Sequence, residues 1–272
     1  MKKLHVIGES FIDRYTFMQS DRVDPATKVP VVLDEEKVDV DGGAANLVSH
    51  LKSIFFKNNF VNNSNYYNID FYTNKKKPIK ERIYIDHKPM YRFDHGDKVK
   101  KDNDLIQNMI NNITKGDYVI VSNYHKGLIS DYEIFLLIEE TKKREAVCFV
   151  DTNIVTKEYY GCDYLKINHK TFLEYENLYK DDIGKHFPNV VVTLGIDGYK
   201  YYGKNHILQN GGNHTQYDFI DSIGAGDAFF AALIYGVITN DSIYKSLSVA
   251  DKYASKSCKK LGTINVWTKK KY

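Results

Sequence analysis

A chain of 272 residues has room for one large α/β domain with its own core, and 43% hydrophobic with 27% charged residues is the balance of a globular protein, against disorder of the whole chain. Thirty-eight basic and thirty-five acidic side chains leave a net charge of +3, which makes neither nucleic acid nor a membrane surface an expected partner. The three cysteines, odd in number and without metal-ligand spacing, argue against a disulfide framework and against a zinc site.

Along the chain, the apolar start Leu4-His5-Val6-Ile7-Gly8 turns polar at Glu9 before a signal-peptide core can form, and no apolar run approaches a membrane span. A cytoplasmic protein is expected. Val29 to Leu33 reads as a strand. In Asp41-Gly42-Gly43-Ala44-Ala45-Asn46 the paired glycines open a helix whose apolar positions Leu47, Val48, Leu51 and Ile54 keep helical spacing. Asn46 offers a donor and an acceptor, which suits a polyhydroxylated ligand. Residues 57–68, crowded with asparagine, predict a loop or weak hairpin. Ile83-Tyr84-Ile85 and Met90-Tyr91 flank a turn at 86–88. Together, residues of about 9–41 and 78–95 predict a small sheet that projects as a lid.

Four apolar runs then end in polar residues: Val119 to Val121 before Asn123, Val147 to Val150 before Asp151, Leu165 to Ile167 before Asn168, and Val190 to Val192 before Thr193. A helix over about 131–144, with Ile134, Leu137 and Ile138 on one face, separates the first two. Strand, helix, strand implies a mostly parallel sheet, with ligands at the carboxyl ends of its strands.

The most informative segment is Asp221-Ser222-Ile223-Gly224-Ala225-Gly226-Asp227, which runs directly into the apolar helix beginning Ala228-Phe229-Phe230. A glycine-rich turn at a helix N-terminus presents unpaired N–H groups and the positive end of the helix dipole, a place for phosphate. Asp227 then faces the same space and can accept a proton from an attacking hydroxyl. Phe229 stands where a dinucleotide fingerprint needs its third glycine, and no Walker A lysine follows the turn.

The two glycine segments in this order resemble the PfkB or ribokinase family of carbohydrate kinases. Gly8-Glu9-Ser10-Phe11-Ile12-Asp13-Arg14-Tyr15, Arg22-Val23-Asp24-Pro25, Tyr91-Arg92-Phe93-Asp94, Ser122-Asn123-Tyr124-His125-Lys126-Gly127 and Lys260-Leu261-Gly262-Thr263 narrow the likeness to the heptose 7-phosphate kinases. The resemblance implies a ribokinase-like three-layer α/β fold over 1–272, with a mostly parallel central sheet and a small β lid. It implies ATP and Mg2+ as cofactors, no assigned metal ligand, and phosphoryl transfer to the anomeric hydroxyl of a phosphorylated sugar. Asp227 is then the base, with the amides of Gly224, Ala225 and Gly226 as anion hole. Asp13, Gly42, Gly43, Asn46 and Asn123 would hold the sugar, and Lys80, Arg82 and Arg92 the phosphate already on it. Asn168, Thr193, Gly195, Gly198 and Asp251 would line the nucleotide site. A homodimer through the lid is expected, and only the kinase half of the bifunctional relatives.

Several positions depart from that pattern. Glu9 replaces an aspartate and would add a methylene near the sugar; Asn123 also stands for an aspartate; Thr171 replaces the metal-side glutamate, with Glu174 displaced by three residues; and the stretch after Ile54 is short. Two further readings therefore stay open: a ribokinase-like kinase for another sugar phosphate or a nucleoside, and a homologue that binds sugar or nucleotide without turnover.

Overall fold

The described residues build two sheets, joined where the first strand ends. A computed structural model describes residues 2–62, 67–102, 104–180, 182–203, 208–212, 220–239, 241–259 and 262. The larger sheet contains β1 (Lys3–Gly8), β4 (Asn68–Tyr72), β7 (Tyr118–Asn123), β8 (Val147–Thr152), β9 (Tyr164–Asn168), β10 (Asn189–Thr193), β11 (Tyr199–Gly203) and β12 (Leu208–Gly211). Its order is β12-β11-β10-β9-β8-β7-β1-β4, parallel from β4 to β10 and antiparallel at the β11 and β12 edge.

Alternate residues of the central strands serve two different cores. In β7, Val119 and Val121 pack with one layer of helices, Tyr118 and Ile120 with the other; in β10, Val190 and Val192 face opposite to Val191. A sheet covered on both faces needs this two-residue period with apolar side chains throughout. One layer comprises α2 (Leu105–Asn112), α3 (Asp131–Lys143) and α4 (His169–Tyr179), and the other α1 (Ala44–Asn62), α5 (Ala225–Ile238) and α6 (Ile243–Ser257). Every residue from Asp227 to Ile234 is buried, because α5 packs against the sheet and against both α1 and α6. Cys148, Cys162 and Cys258 are buried free thiols.

The smaller sheet, of order β3-β2-β5-β6, consists of β2 (Ser10–Val23), β3 (Pro30–Gly43), β5 (Ile79–Ile85) and β6 (Lys88–His95). Asp86 and His87, with φ of +48° and +63°, make the two-residue turn between β5 and β6, the left-handed pair that matches the twist of a hairpin. This sheet occupies the segments expected for a lid.

One expectation is overturned. Residues 57–62 continue α1 rather than forming a loop, and β4 starts at Asn68; residues 63–66 lie outside the described residues. Propensity is a weak prior, and the buried row Leu47, Val48, Leu51, Ile54 and Phe55 anchors α1 in the core beside α5. Lys260, Leu261 and Thr263 also lie outside the described residues.

Candidate active site

The carboxyl ends of β7, β8 and β9 and the N-terminus of α5 converge on one pocket. Gly224 caps α5 with φ of +77°, a conformation that a residue with a Cβ adopts only under strain. The turn is tied down by Asp221, whose carboxylate accepts the amides of Ile223 and Gly262, each at 2.9 Å. Ala225 N–H turns back onto Ser222 O at 3.2 Å. Gly226 brings bare backbone to Lys166: a Cβ there would lie 3.0 Å from Nζ.

Asp227 sits in the first turn of α5, 5% exposed, with both carboxylate oxygens engaged. Asn46 Nδ2 donates to Oδ2 at 2.7 Å and the Tyr124 hydroxyl to Oδ1 at 2.8 Å. Burial first, and then the negative charge of Asp151, push the Asp227 carboxyl up to about 6; the Asn46 hydrogen bond, the Lys166 charge and the Tyr124 hydrogen bond oppose them. Asp151 is itself raised by burial and held down by Lys166, whose Nζ is 2.8 Å from its Oδ2. A carboxylate so placed is poised to take a proton near neutral pH.

On the side of the smaller sheet, Asp13 accepts from Arg82 at 2.6 Å, with both side chains largely buried. Gly42 lies against it: a Cβ there would overlap Asp13 Oδ2, so the carboxylate would have to move. Gly43 pairs with Ser10 across β2 and β3. Asn46 is buried with its Oδ1 without a partner among the described residues, an acceptor that a ligand hydroxyl would satisfy. Lys80 Nζ lies 3.5 Å from the centre of the Phe11 ring and 5.6 Å from that of Tyr124, and burial lowers its pKa. Arg92 differs: it is half exposed and forked onto Asp94 at 2.7 and 2.8 Å.

On the opposite side, Asn168 lines the pocket while capping α4, its Oδ1 accepting from Thr171 N at 2.9 Å. Thr171 is buried and donates to Asn153 O; Glu174 is exposed beside Lys170 at 3.7 Å. Thr193 ends β10 and donates to Ile167 O at 3.3 Å. Gly195 and Gly198 form the following turn, with φ of +67° and +81°. Asp251, on α6, comes close to Gly212.

Two expectations change here. Glu9 is not among the residues lining the pocket: its fully buried carboxylate accepts the amides of Tyr124, Lys126 and Leu128 at 2.8, 3.0 and 3.4 Å. Asn123 lines the pocket with both polar atoms engaged, Nδ2 on the Tyr159 hydroxyl at 2.8 Å and Oδ1 accepting from His125 N at 2.9 Å. Sequence reasoning gave no role to Tyr124 or Lys166. A lysine inside the apolar strand Leu165-Lys166-Ile167 was the available signal, because lysine is almost never buried without a partner.

A family model described as pfkB family carbohydrate kinase matches residues 55–270. The bifunctional protein HldE of Campylobacter jejuni subsp. doylei is 25% identical to this chain over 298 residues, covering 97% of this chain and 62% of that protein. The HldE of Helicobacter pylori strain Shi470 is also 25% identical, with 97% and 64% covered. The chain thus spans about three fifths of the length of the curated relatives it matches. Among solved structures, phosphofructokinase-2 from Escherichia coli in complex with potassium superposes with a TM-score of 0.70 at 12% identity, covering 97% of this chain and 94% of that one. Ribokinase from Thermotoga maritima superposes with a TM-score of 0.63 at 14% identity, covering 97% and 95%. At such identities these two superpositions bear on the fold alone: it is ribokinase-like.

Proposed function

The chain belongs to the pfkB family of carbohydrate kinases, and from that premise we propose that it transfers the γ-phosphoryl group of ATP to a hydroxyl, the anomeric one, of a phosphorylated sugar such as heptose 7-phosphate. The observation that carries this reading is Asp227, a buried carboxylate with a raised pKa at a glycine-opened helix N-terminus, facing Lys166. Asp227 takes the hydroxyl proton as the phosphoryl group moves in line. Lys166 and the backbone of Gly224 and Gly226 at the start of α5 meet the negative charge that passes between donor and acceptor, whereas the Ala225 amide, expected to join them, is engaged by Ser222 O. Asn46 Oδ1 and Asp13 orient the sugar. The choice of a heptose rests on the residue motifs from Gly8 to Lys126 and on the HldE relatives.

Mg2+ fits the site as a companion of the nucleotide. No three histidine, cysteine or acidic side chains among the described residues could cage an ion, and Asn153 and Asn168 offer neutral amides to the pocket. Mg2+ binds through few protein ligands when phosphates and waters complete its shell. Asn153 and Asn168 would face it, and when bound it would neutralise phosphate charge.

A panel of phosphorylated and unphosphorylated sugars incubated with ATP and Mg2+, with ADP release as readout, tests the reading. Turnover with no member would favour the alternative of binding without transfer. One observation speaks for that alternative: Thr171 is buried where a metal-side glutamate is expected, and Glu174 points to solvent.

With an accepted substrate, kcat/KM falls as pH drops through about 6, because protonation removes the base. Above that pH it is flat until another group titrates. A profile flat down to pH values near that of an ordinary aspartate contradicts Asp227 as the base.

The smaller sheet also supports pairing with a second copy. Leu33 on β3 and Tyr91 and Phe93 on β6 are 62%, 61% and 49% exposed, on strands at the sheet's two edges. Sedimentation at micromolar concentration is expected to give a dimer that the double substitution Leu33→Asp, Tyr91→Asp dissociates. A wild-type monomer contradicts it.

A further inference from the structure

Between the first strand of the large sheet and the base lies a connection that transfer itself does not require. Glu9 follows β1, is fully buried, and spends its carboxylate on backbone: Oε2 accepts from Tyr124 N at 2.8 Å, and Oε1 from Lys126 N at 3.0 Å and Leu128 N at 3.4 Å. Those amides belong to the loop after β7, so one side chain fixes the path of five residues. The loop in turn delivers the Tyr124 hydroxyl to Asp227 Oδ1 at 2.8 Å. The Tyr124 ring is held from the smaller sheet, edge-on to Phe11 with centroids 5.4 Å apart, and below the Lys80 ammonium.

We propose that Glu9 and Tyr124 form a positioning relay for Asp227, in which Glu9 sets the loop and Tyr124, without touching the reacting atoms, orients the carboxylate and keeps it ionised. The proposal rests on Asp227 being the base. Its physical sense lies in the neighbours of that group. From β8, Asp151 works against ionisation; from β9, Lys166 works for it; from α1, Asn46 donates to Oδ2; and Tyr124, itself facing Asp13 and Asp151, donates to Oδ1. Buried beside a second carboxylate, Asp227 would lie protonated at neutral pH without its donors. Tyr124 is the donor that a loop motion can withdraw, and Glu9 is what prevents the motion. Glutamate suits the task because its two oxygens serve opposite ends of the loop. A glutamine presents one oxygen and one NH2 group, so one of the two sets of amides would meet a donor.

The test follows Asp227 itself rather than turnover. Carboxyl-13C NMR of the full chain labelled at aspartate, with Asp227→Asn identifying the signal, is expected to show a midpoint of about 6. In Tyr124→Phe the midpoint rises by about one pH unit. In Glu9→Gln it rises by less, and the amides of Tyr124, Lys126 and Leu128 exchange faster with solvent. An unmoved midpoint in Tyr124→Phe overturns the proposal, and so does faster loop exchange in Glu9→Gln without a change at Asp227. If neither variant folds, the wild-type Tyr124 13Cζ signal decides: it must move with the Asp227 midpoint, and a flat signal overturns the relay. None of these readouts needs a sugar. Failure of the base assignment would show separately, as undiminished transfer by Asp227→Asn.

Discussion

Asp227→Asn is expected to lower kcat by at least about a hundredfold, the smaller end of the range for losing a general base, while leaving ATP affinity nearly unchanged. The same substitution should make the protein more stable at neutral pH. Burial and Asp151 raise the Asp227 carboxyl from 3.8 to about 6 in the folded chain. Below the lower value both states hold the proton. Between the two, the unfolded chain releases a proton that the folded chain keeps, so stability falls as pH rises; above about 6 the full penalty is present. Two pH units correspond to roughly 3 kcal/mol, and a neutral asparagine is free of that penalty. Part of the gain is offset because hydrogen bonds from Asn46 and Tyr124 to a neutral amide are weaker than to a carboxylate. A rise of a few degrees in Tm with loss of turnover is therefore expected, the trade of a site that stores strain for function. Near-normal turnover in a folded Asp227→Asn protein would remove the base assignment, and a lower Tm would mean that the neighbours fully compensate the buried charge.

The features that could be read from the sequence were local in the chain. The run Gly224 to Asp227 announces an anion site by itself, because a turn without side chains followed by a helix is one continuous segment. The strand ends were legible for the same reason: the apolar runs stop before Asn123, Asp151, Asn168 and Thr193, and the carboxyl edge of the sheet lies there. The partners of the base were not. Asn46 stands 181 residues from Asp227 and Tyr124 stands 103 residues away, and both contacts exist only once α1, β7 and α5 have packed. Glu9 illustrates the same limit. Its position after β1 suggested the sugar, yet the loop after β7 passes within reach and supplies three amides. At 57–62 the asparagines pointed to a loop, and the preceding turns of α1, packed beside α5, outweighed them.

The second large effect concerns the anionic group on the acceptor, and the three basic side chains considered for it are not equivalent. Arg82 already neutralises Asp13 at 2.6 Å, and Arg92 is half exposed and forked onto Asp94. Lys80 has no carboxylate within ion-pair distance among the described residues; its ammonium rests on the Phe11 ring, and burial disfavours its charged form. A desolvated cation without an anion gains most when one arrives. Lys80 Nζ lies 5.6 Å from the centre of the Tyr124 ring, whose hydroxyl reaches Asp227 at 2.8 Å, so a sugar with its hydroxyl at the base can present a phosphate to Lys80 about one ring away. Lys80→Ala should lower kcat/KM for the phosphorylated sugar by about thirtyfold, equivalent to roughly 2 kcal/mol for a lost charge-assisted contact. It should leave the unphosphorylated sugar and ATP nearly unaffected, and Arg92→Ala should cost less because water already screens that group. Measured kcat/KM for the two sugars in wild type and both variants decides the matter. Equal values for the two sugars in wild type would contradict a phosphorylated acceptor and favour a nucleoside or another neutral polyol, for which the Lys80 charge would be a burden rather than a contact.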